Sequence, residues 1–156
     1  IKLNVFSGIM VTASHNPKDD NGFKFAFDEK GNCKGQEIQD FLKFIQKGEF
    51  AKGDGVIKRY DVRPDYIELF KNCLNFGPRK IKAVIDPGNG TTSIIAKELY
   101  KMFPIELISI NDESDGTFPN HHPDPCVEKN LEMLKKKVIE TIREYCNIQR
   151  ITNKLC

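Results

Sequence analysis

Between two apolar stretches the chain reads Thr12-Ala13-Ser14-His15-Asn16-Pro17, and it resumes as Gly22-Phe23-Lys24-Phe25. These residue types suit transfer of a phosphoryl group. Ser14 offers a hydroxyl nucleophile, and His15 and Asn16 offer donors for anionic oxygens. Lys24 offers a cation on a returning strand, where a two-strand turn can bring its ammonium back toward Ser14. A metal ion usually neutralises the charge that develops in such a transfer. The same residues also read as a plain turn, with Ser14 a turn residue, His15 a surface side chain and Lys24 a solvated strand lysine. Residue chemistry alone leaves both readings open.

Two other places invite the same question. Asp86-Pro87-Gly88-Asn89-Gly90 is a Gly-rich turn between an apolar run and a helical pattern, a position that can cradle phosphate. It is far from G-x-G-x-x-G or a Walker A motif. The favoured reading is therefore structural, with Gly88 and Gly90 supplying tight backbone geometry. His121, His122 and Cys126 have the residue types of zinc ligands, but no second ligand pair follows at a zinc-site spacing. The two histidines are expected to hold their Pro-rich loop or an interdomain contact.

The elements that must position these groups follow from the apolar pattern. Val5–Thr12 is a β-branched apolar run of buried-strand length. Phe23–Phe27 is a second strand, with Phe23, Phe25 and Phe27 on one face. Ile38, Phe41, Leu42 and Ile45 recur at helical spacing over Gln36–Lys47, and Gly48 ends that helix. A loop rich in Gly and Lys precedes a new unit near Asp61. There the pattern predicts a helix over Asp65–Leu74, a buried strand over Ile81–Ile85, a helix over Thr92–Phe103 and a strand over Ile105–Ile110. After a long polar loop comes a helix from Glu128 to about Cys146, with Leu131, Leu134, Val138 and Ile142 in register. Strand, turn, helix, strand is the βαβ signature of a parallel sheet. The expected class is α/β, with mixed or parallel sheets covered by helices, in two partial domains over 1–60 and 61–156.

The totals exclude several classes. The chain has 156 residues, 39% apolar and 29% charged, with a net charge of +2. Such a charge gives no argument for nucleic acid or a membrane surface, and no apolar run is long enough to span a bilayer. Five cysteines at irregular spacing, Cys33, Cys73, Cys126, Cys146 and Cys156, point to reduced thiols and a cytoplasmic setting. The chain has no initiator Met and no signal-peptide pattern at its start.

"TASHNP" followed by "NGFKF" resembles the phosphoserine loop of the α-D-phosphohexomutases, and most closely their bacterial phosphomannomutase/phosphoglucomutase branch. "KGQEIQDF", "KAVIDPGNGTTS" and "DGTFPNHHPDP" are similar to later stretches of that family, in the same order. The resemblance covers about Val5 to Val138. It implies that Ser14 is the residue phosphorylated in the active enzyme. It makes His15 and Asn16 the lining of the transferring group, and Lys24 the candidate general base or acid. A lysine in that role needs a lowered pKa, from burial or a nearby cation. The phosphate on Ser14 would give one oxygen to Mg²⁺, a hard ion that takes oxygen donors. The substrate would be mannose or glucose 1- or 6-phosphate, exchanged through a 1,6-bisphosphate.

Measured against that family, the chain is expected to be a fragment: the end of domain I and most of domain II, with a divergent tail after about 138. No Asp follows Asp124, so the carboxylate loop that would complete the Mg²⁺ shell is absent from these residues. The isolated chain is thus expected to be inactive. The alternatives are a non-catalytic binding or interaction domain, or the product of a degenerate mutase gene. A nucleotide-binding Rossmann unit is the weakest reading, since "DPGNG" fits no dinucleotide fingerprint.

Overall fold

The computed structural model describes residues 3–28, 31–78 and 80–152, with side chains described up to residue 142. The chain is α/β and divides into two units, Ile1–Tyr60 and Asp61–Cys156.

In the first unit, β1 (Gly8–Val11) and β2 (Phe23–Ala26) form an antiparallel pair, with Gly8 opposite Ala26 and Val11 opposite Phe23. The period of two puts Phe23, Phe25 and Phe27 on one side, and their rings stack at centroid distances of 6.2 and 6.1 Å. Helix α1 (Gln36–Lys47) presents Phe41 to that side, edge-on to Phe25 at 5.0 Å and to Phe27 at 4.8 Å. The helix starts where the Glu37 carboxylate accepts the Lys34 N–H at 3.2 Å. It stops at left-handed Gly48, whose N–H reaches the Ile45 carbonyl. The buried strand expected over Val5–Thr12 is corrected in length and in burial. Only Gly8–Val11 pairs, and Ile9, Met10 and Val11 are each more than 60% exposed. A two-stranded ribbon has two faces, and α1 covers part of one.

In the second unit, β3 (Ile81–Ile85) and β4 (Ile105–Ser109) are parallel, in register from Ile81 opposite Ile105 to Ile85 opposite Ser109. Lys82 and Glu106 face each other in that register and pair at 2.8 Å. The crossover between them is the expected helix in altered form: a 3₁₀ turn over Thr91–Ile94, then α3 (Ala96–Lys101). Thr91, Thr92, Ile94 and Ile95 explain the break, because β-branched side chains resist the α conformation at χ1. Ala96, 3% exposed, is the small residue at which α3 meets the sheet. Ahead of β3 lies α2 (Arg63–Cys73), which begins two residues before the expected Asp65 and carries Pro64 in its first turn. A 3₁₀ turn over Glu128–Leu131 leads into α4 (Glu132–Thr152). Leu131, Leu134 and Val138 are half-buried as the pattern requires, but Ile142 is 56% exposed. Thr141 is buried in its place, with its hydroxyl donating to the Lys137 carbonyl at 2.8 Å.

Candidate active site

Ser14 stands at the tip of the β1–β2 connection, exposed to solvent. The loop is closed at its neck by the Thr12 N–H donating to the Gly22 carbonyl at 2.8 Å. Inside the loop, the Asn16 N–H donates to the Ala13 carbonyl at 3.1 Å and the Asp20 N–H to the Pro17 carbonyl at 3.0 Å. Two tight turns therefore stack on one neck. The first turn forces Ser14 to a φ of 60°, the left-handed region that costs a side-chain-bearing residue roughly 1–2 kcal/mol. Such strain persists only where the surroundings over-determine it, and it gathers at functional sites. Here the surroundings include the Thr12 hydroxyl, which accepts the Ser14 N–H at 3.0 Å. The strain points Ser14 outward on a short, pinned loop.

The Ser14 hydroxyl lies 3.3 Å from the His15 Nδ1. Hydroxyl and imidazole can share a proton at that separation. Asn16 is exposed on the same turn. Lys24 sits in β2 opposite Met10, also exposed. From the neck at Thr12 and Gly22 it is two residues down the ribbon, about 7 Å. Among the described residues, Lys24 and Ser14 share no hydrogen bond. The hairpin thus carries all four sequence candidates, Ser14, His15, Asn16 and Lys24. It brings Ser14 and His15 into contact and leaves Lys24 two strand positions below the neck of the loop. The sequence reading missed Thr12 and Gly22, which shape the loop. The Thr-x-Ser spacing was the available signal, since a Thr hydroxyl commonly caps the N–H two residues on.

Among the described residues no three His, Cys, Asp or Glu side chains converge as a metal-ion set. Nor is any helix among them long and apolar enough to cross a membrane. Cys33, Cys73 and Cys126 are free thiols; the side chains of Cys146 and Cys156 lie outside the described residues.

In the second unit, the "DPGNG" turn and the long polar loop are one hydrogen-bonded structure. Asp86, at the end of β3, has a side chain only 4% exposed. It accepts the Gly88 N–H at 2.9 Å, the Asn111 amide at 3.1 Å to each oxygen, and the His121 Nε2 at 3.0 Å. Asn89, 6% exposed and at a φ of 58°, uses every polar group it has. Its N–H donates to the Asn111 carbonyl, its carbonyl accepts the Asp115 N–H, and its side-chain amide donates to the Glu113 carbonyl and accepts from Asn120. Gly88 has a φ of 58°, and a Cβ there would come within 3.1 Å of the His121 ring. This is the tight geometry expected of Gly88. His121 acts inside the loop network, and His122 accepts the Asp124 N–H at 3.3 Å. Asp86, Asn89 and Asn111 were not singled out in the sequence, where a buried Asp or Asn has no mark of its own.

Comparison with known proteins gives the same family for both units. Residues 64–148 match the model of the phosphoglucomutase/phosphomannomutase alpha/beta/alpha domain II, and residues 1–52 that of domain I. A phosphomannomutase/phosphoglucomutase of Pseudomonas syringae pv. tomato is 40% identical over 137 residues, covering 86% of this chain and 29% of the relative. A phosphoglucomutase of Neisseria meningitidis serogroup B is 38% identical over 130 residues, covering 82% of this chain and 28% of the relative. The crystal structure of a phosphoglucomutase/phosphomannomutase family protein from Burkholderia thailandensis superposes with a TM-score of 0.78 at 39% identity, over 84% of this chain and 28% of that one. The chain spans less than a third of the length of the curated relatives it matches.

Proposed function

We propose that this chain, which belongs to the phosphoglucomutase/phosphomannomutase family, is the part of a hexose-phosphate mutase that carries the phosphorylated serine. The observation that supports this most is Ser14 itself: an exposed hydroxyl on a left-handed residue, at the tip of a loop pinned by Thr12 and Gly22. A plain turn has no need to place a serine where glycine is preferred.

The reaction is an intramolecular isomerisation in two transfers. A hydroxyl of a mannose or glucose monophosphate attacks the phosphorus on Ser14 and the Ser14 Oγ–P bond breaks. Lys24 takes the proton of the attacking hydroxyl. The product is the 1,6-bisphosphate. After the sugar turns over, Ser14 Oγ attacks the other phosphorus, that ester bond breaks, and the freed sugar oxygen regains a proton. His15 and Asn16 donate to the non-bridging oxygens, where charge accumulates. Mg²⁺ would neutralise part of that charge, with the Ser14 phosphate as the one ligand proposed from this chain. The setting is cytoplasmic, in keeping with the free thiols.

Near-octahedral Mg²⁺ needs about six oxygen ligands. One phosphate oxygen does not hold it, so residues 1–156 alone are proposed to be inactive. A coupled assay tests the reading: Mg²⁺-dependent conversion of hexose 1-phosphate is expected from Ser14 in a full-length family chain, with most turnover lost in Ser14→Ala. Undiminished turnover in that variant would overturn the phosphoserine role. Turnover by residues 1–156 alone would overturn the proposed inactivity. Intact mass before and after phosphatase tests for phosphate on this chain directly. An unphosphorylated, inactive chain would favour the alternative of a non-catalytic binding domain.

A further inference from the structure

The His121 ring lies between two oxygens that can only accept. Its Nε2 is 3.0 Å from an Asp86 carboxylate oxygen, and its Nδ1 is 2.9 Å from the His122 carbonyl. A neutral imidazole has one N–H and one lone pair. Whichever tautomer it adopts, one nitrogen then turns its lone pair toward an oxygen lone pair. Only the imidazolium satisfies both contacts. The ring has little freedom to turn away: its Cε1 edge, between the two nitrogens, packs on Gly88, and the side chain is 15% exposed. Asp86 is the hub that joins the β3 turn to the long loop, because it also holds the Gly88 N–H and the Asn111 amide.

We infer that His121 is a protonation-controlled clasp between the 86–90 turn and the 111–124 loop, closed as the imidazolium and loosened as the neutral ring. Among the described residues, the charged and titratable groups that line its cleft or bond to it are the following. Asp86 faces it from the end of β3, and Asp124 lines the same small cleft from its own loop, with an oxygen engaged by the Cys126 N–H. His122 contributes its carbonyl to the clasp and uses its Nδ1 on the Asp124 N–H. From the 3₁₀ turn and α4 the cleft is lined by Asn130, Leu131 and Leu134, which carry no charge. Burial opposes the charged ring, but the His122 carbonyl and the Asp86 carboxylate outweigh it and raise the His121 pKa above its ordinary value. A raised pKa fixes the sign. The contribution is fully present below the ordinary histidine value, near 6.5, and is lost as pH rises through the higher value in the folded chain.

The test is amide hydrogen exchange on the full 156-residue chain from pH 5.5 to 9, corrected for the intrinsic pH dependence. The amides to follow are Gly88, Asn89 and Asp115, all bonded inside the clasped loops. Ring-nitrogen NMR shifts of His121 are followed in the same samples. Protection of the three amides should be flat at low pH and fall about tenfold as the ring loses its proton, the scale of one charge-assisted hydrogen bond. His121→Gln should remove the step and leave the loops at the high-pH level. A ring already neutral at pH 6 overturns the inference, as does unchanged protection through its titration or no titration up to pH 9. A step that persists in His121→Gln assigns the effect to another group and overturns it too. If the Gln variant does not fold, the two wild-type measurements decide alone.

Discussion

The Thr12 N–H donates to the Gly22 carbonyl at 2.8 Å, and a Cβ on Gly22 would lie 2.5 Å from the Thr12 carbonyl oxygen. The neck of the Ser14 loop is therefore possible only because residue 22 has no side chain. No real Cβ contact is that short, and the atom opposed is backbone, which cannot swing aside.

Gly22→Ala should open this neck. The expected cost is about 1–3 kcal/mol for forcing a methyl into a packed backbone contact. Denaturant unfolding of the chain would show it as a lower midpoint. Amide exchange at Thr12 should accelerate more than exchange in α1, since the damage is local. Unchanged exchange at Thr12 would show that the neck does not hold the loop.

Ser14→Gly separates strain from function. Removing the left-handed strain is worth roughly 1–2 kcal/mol, against roughly 0.5–1 kcal/mol of added chain entropy in the unfolded state. The variant should be at least as stable as the parent, with no phosphate to be found by intact mass. A clear loss of stability would mean that the Ser14 side chain supports the loop, and that its placement serves structure.

Asn89→Asp exchanges a donor for an acceptor while keeping the shape. The Glu113 carbonyl, now 2.8 Å from the Asn89 amide nitrogen, would face an anionic oxygen in a buried site. The expected loss is about 2–4 kcal/mol at neutral pH, shrinking in acid as the new carboxyl takes a proton. Urea midpoints at pH 7 and pH 4 would check both the size and the sign. A midpoint at pH 7 equal to the parent's would contradict the hydrogen-bond assignment.

The start of α2 should be acid-sensitive. Asp61 accepts three hydrogen bonds from the Arg63 guanidinium, at 2.7, 2.9 and 3.2 Å, and the Arg63 N–H at 3.1 Å. The side-chain bonds, then the backbone bond, bring its pKa from the ordinary 3.8 to about 2. For a lowered carboxyl the contribution is present above the ordinary value and disappears as pH falls toward 2. Both groups are exposed, so the effect is a fraying of the first turn and not global unfolding. NMR titration of Asp61 should give a midpoint near the lowered value, and Arg63→Gln should return it toward 3.8. Coincident midpoints in parent and variant would refute the pairing.

The sequence by itself determined the elements whose signal is local. Gln36–Lys47 and Ile81–Ile85 follow from apolar spacing and flanking glycines, because those cues act within one turn of helix or one strand. The ordered motifs around Ser14 were enough to suggest the family that the domain matches show. The α/β class followed from the βαβ order. What only the tertiary structure decided depends on pairs far apart in the chain. That Val5–Thr12 is mostly an exposed ribbon depends on which faces find a cover, and that Thr141 is buried where Ile142 was expected depends on the rotation of α4 against its unit. The neck of the Ser14 loop joins Thr12 and Gly22, ten positions apart, and the φ of Ser14 within that loop cannot be read from a serine. The Asp86–His121 contact joins residues 35 positions apart. Each of the two is an ordinary polar residue until the fold removes water from between them and leaves each as the other's partner.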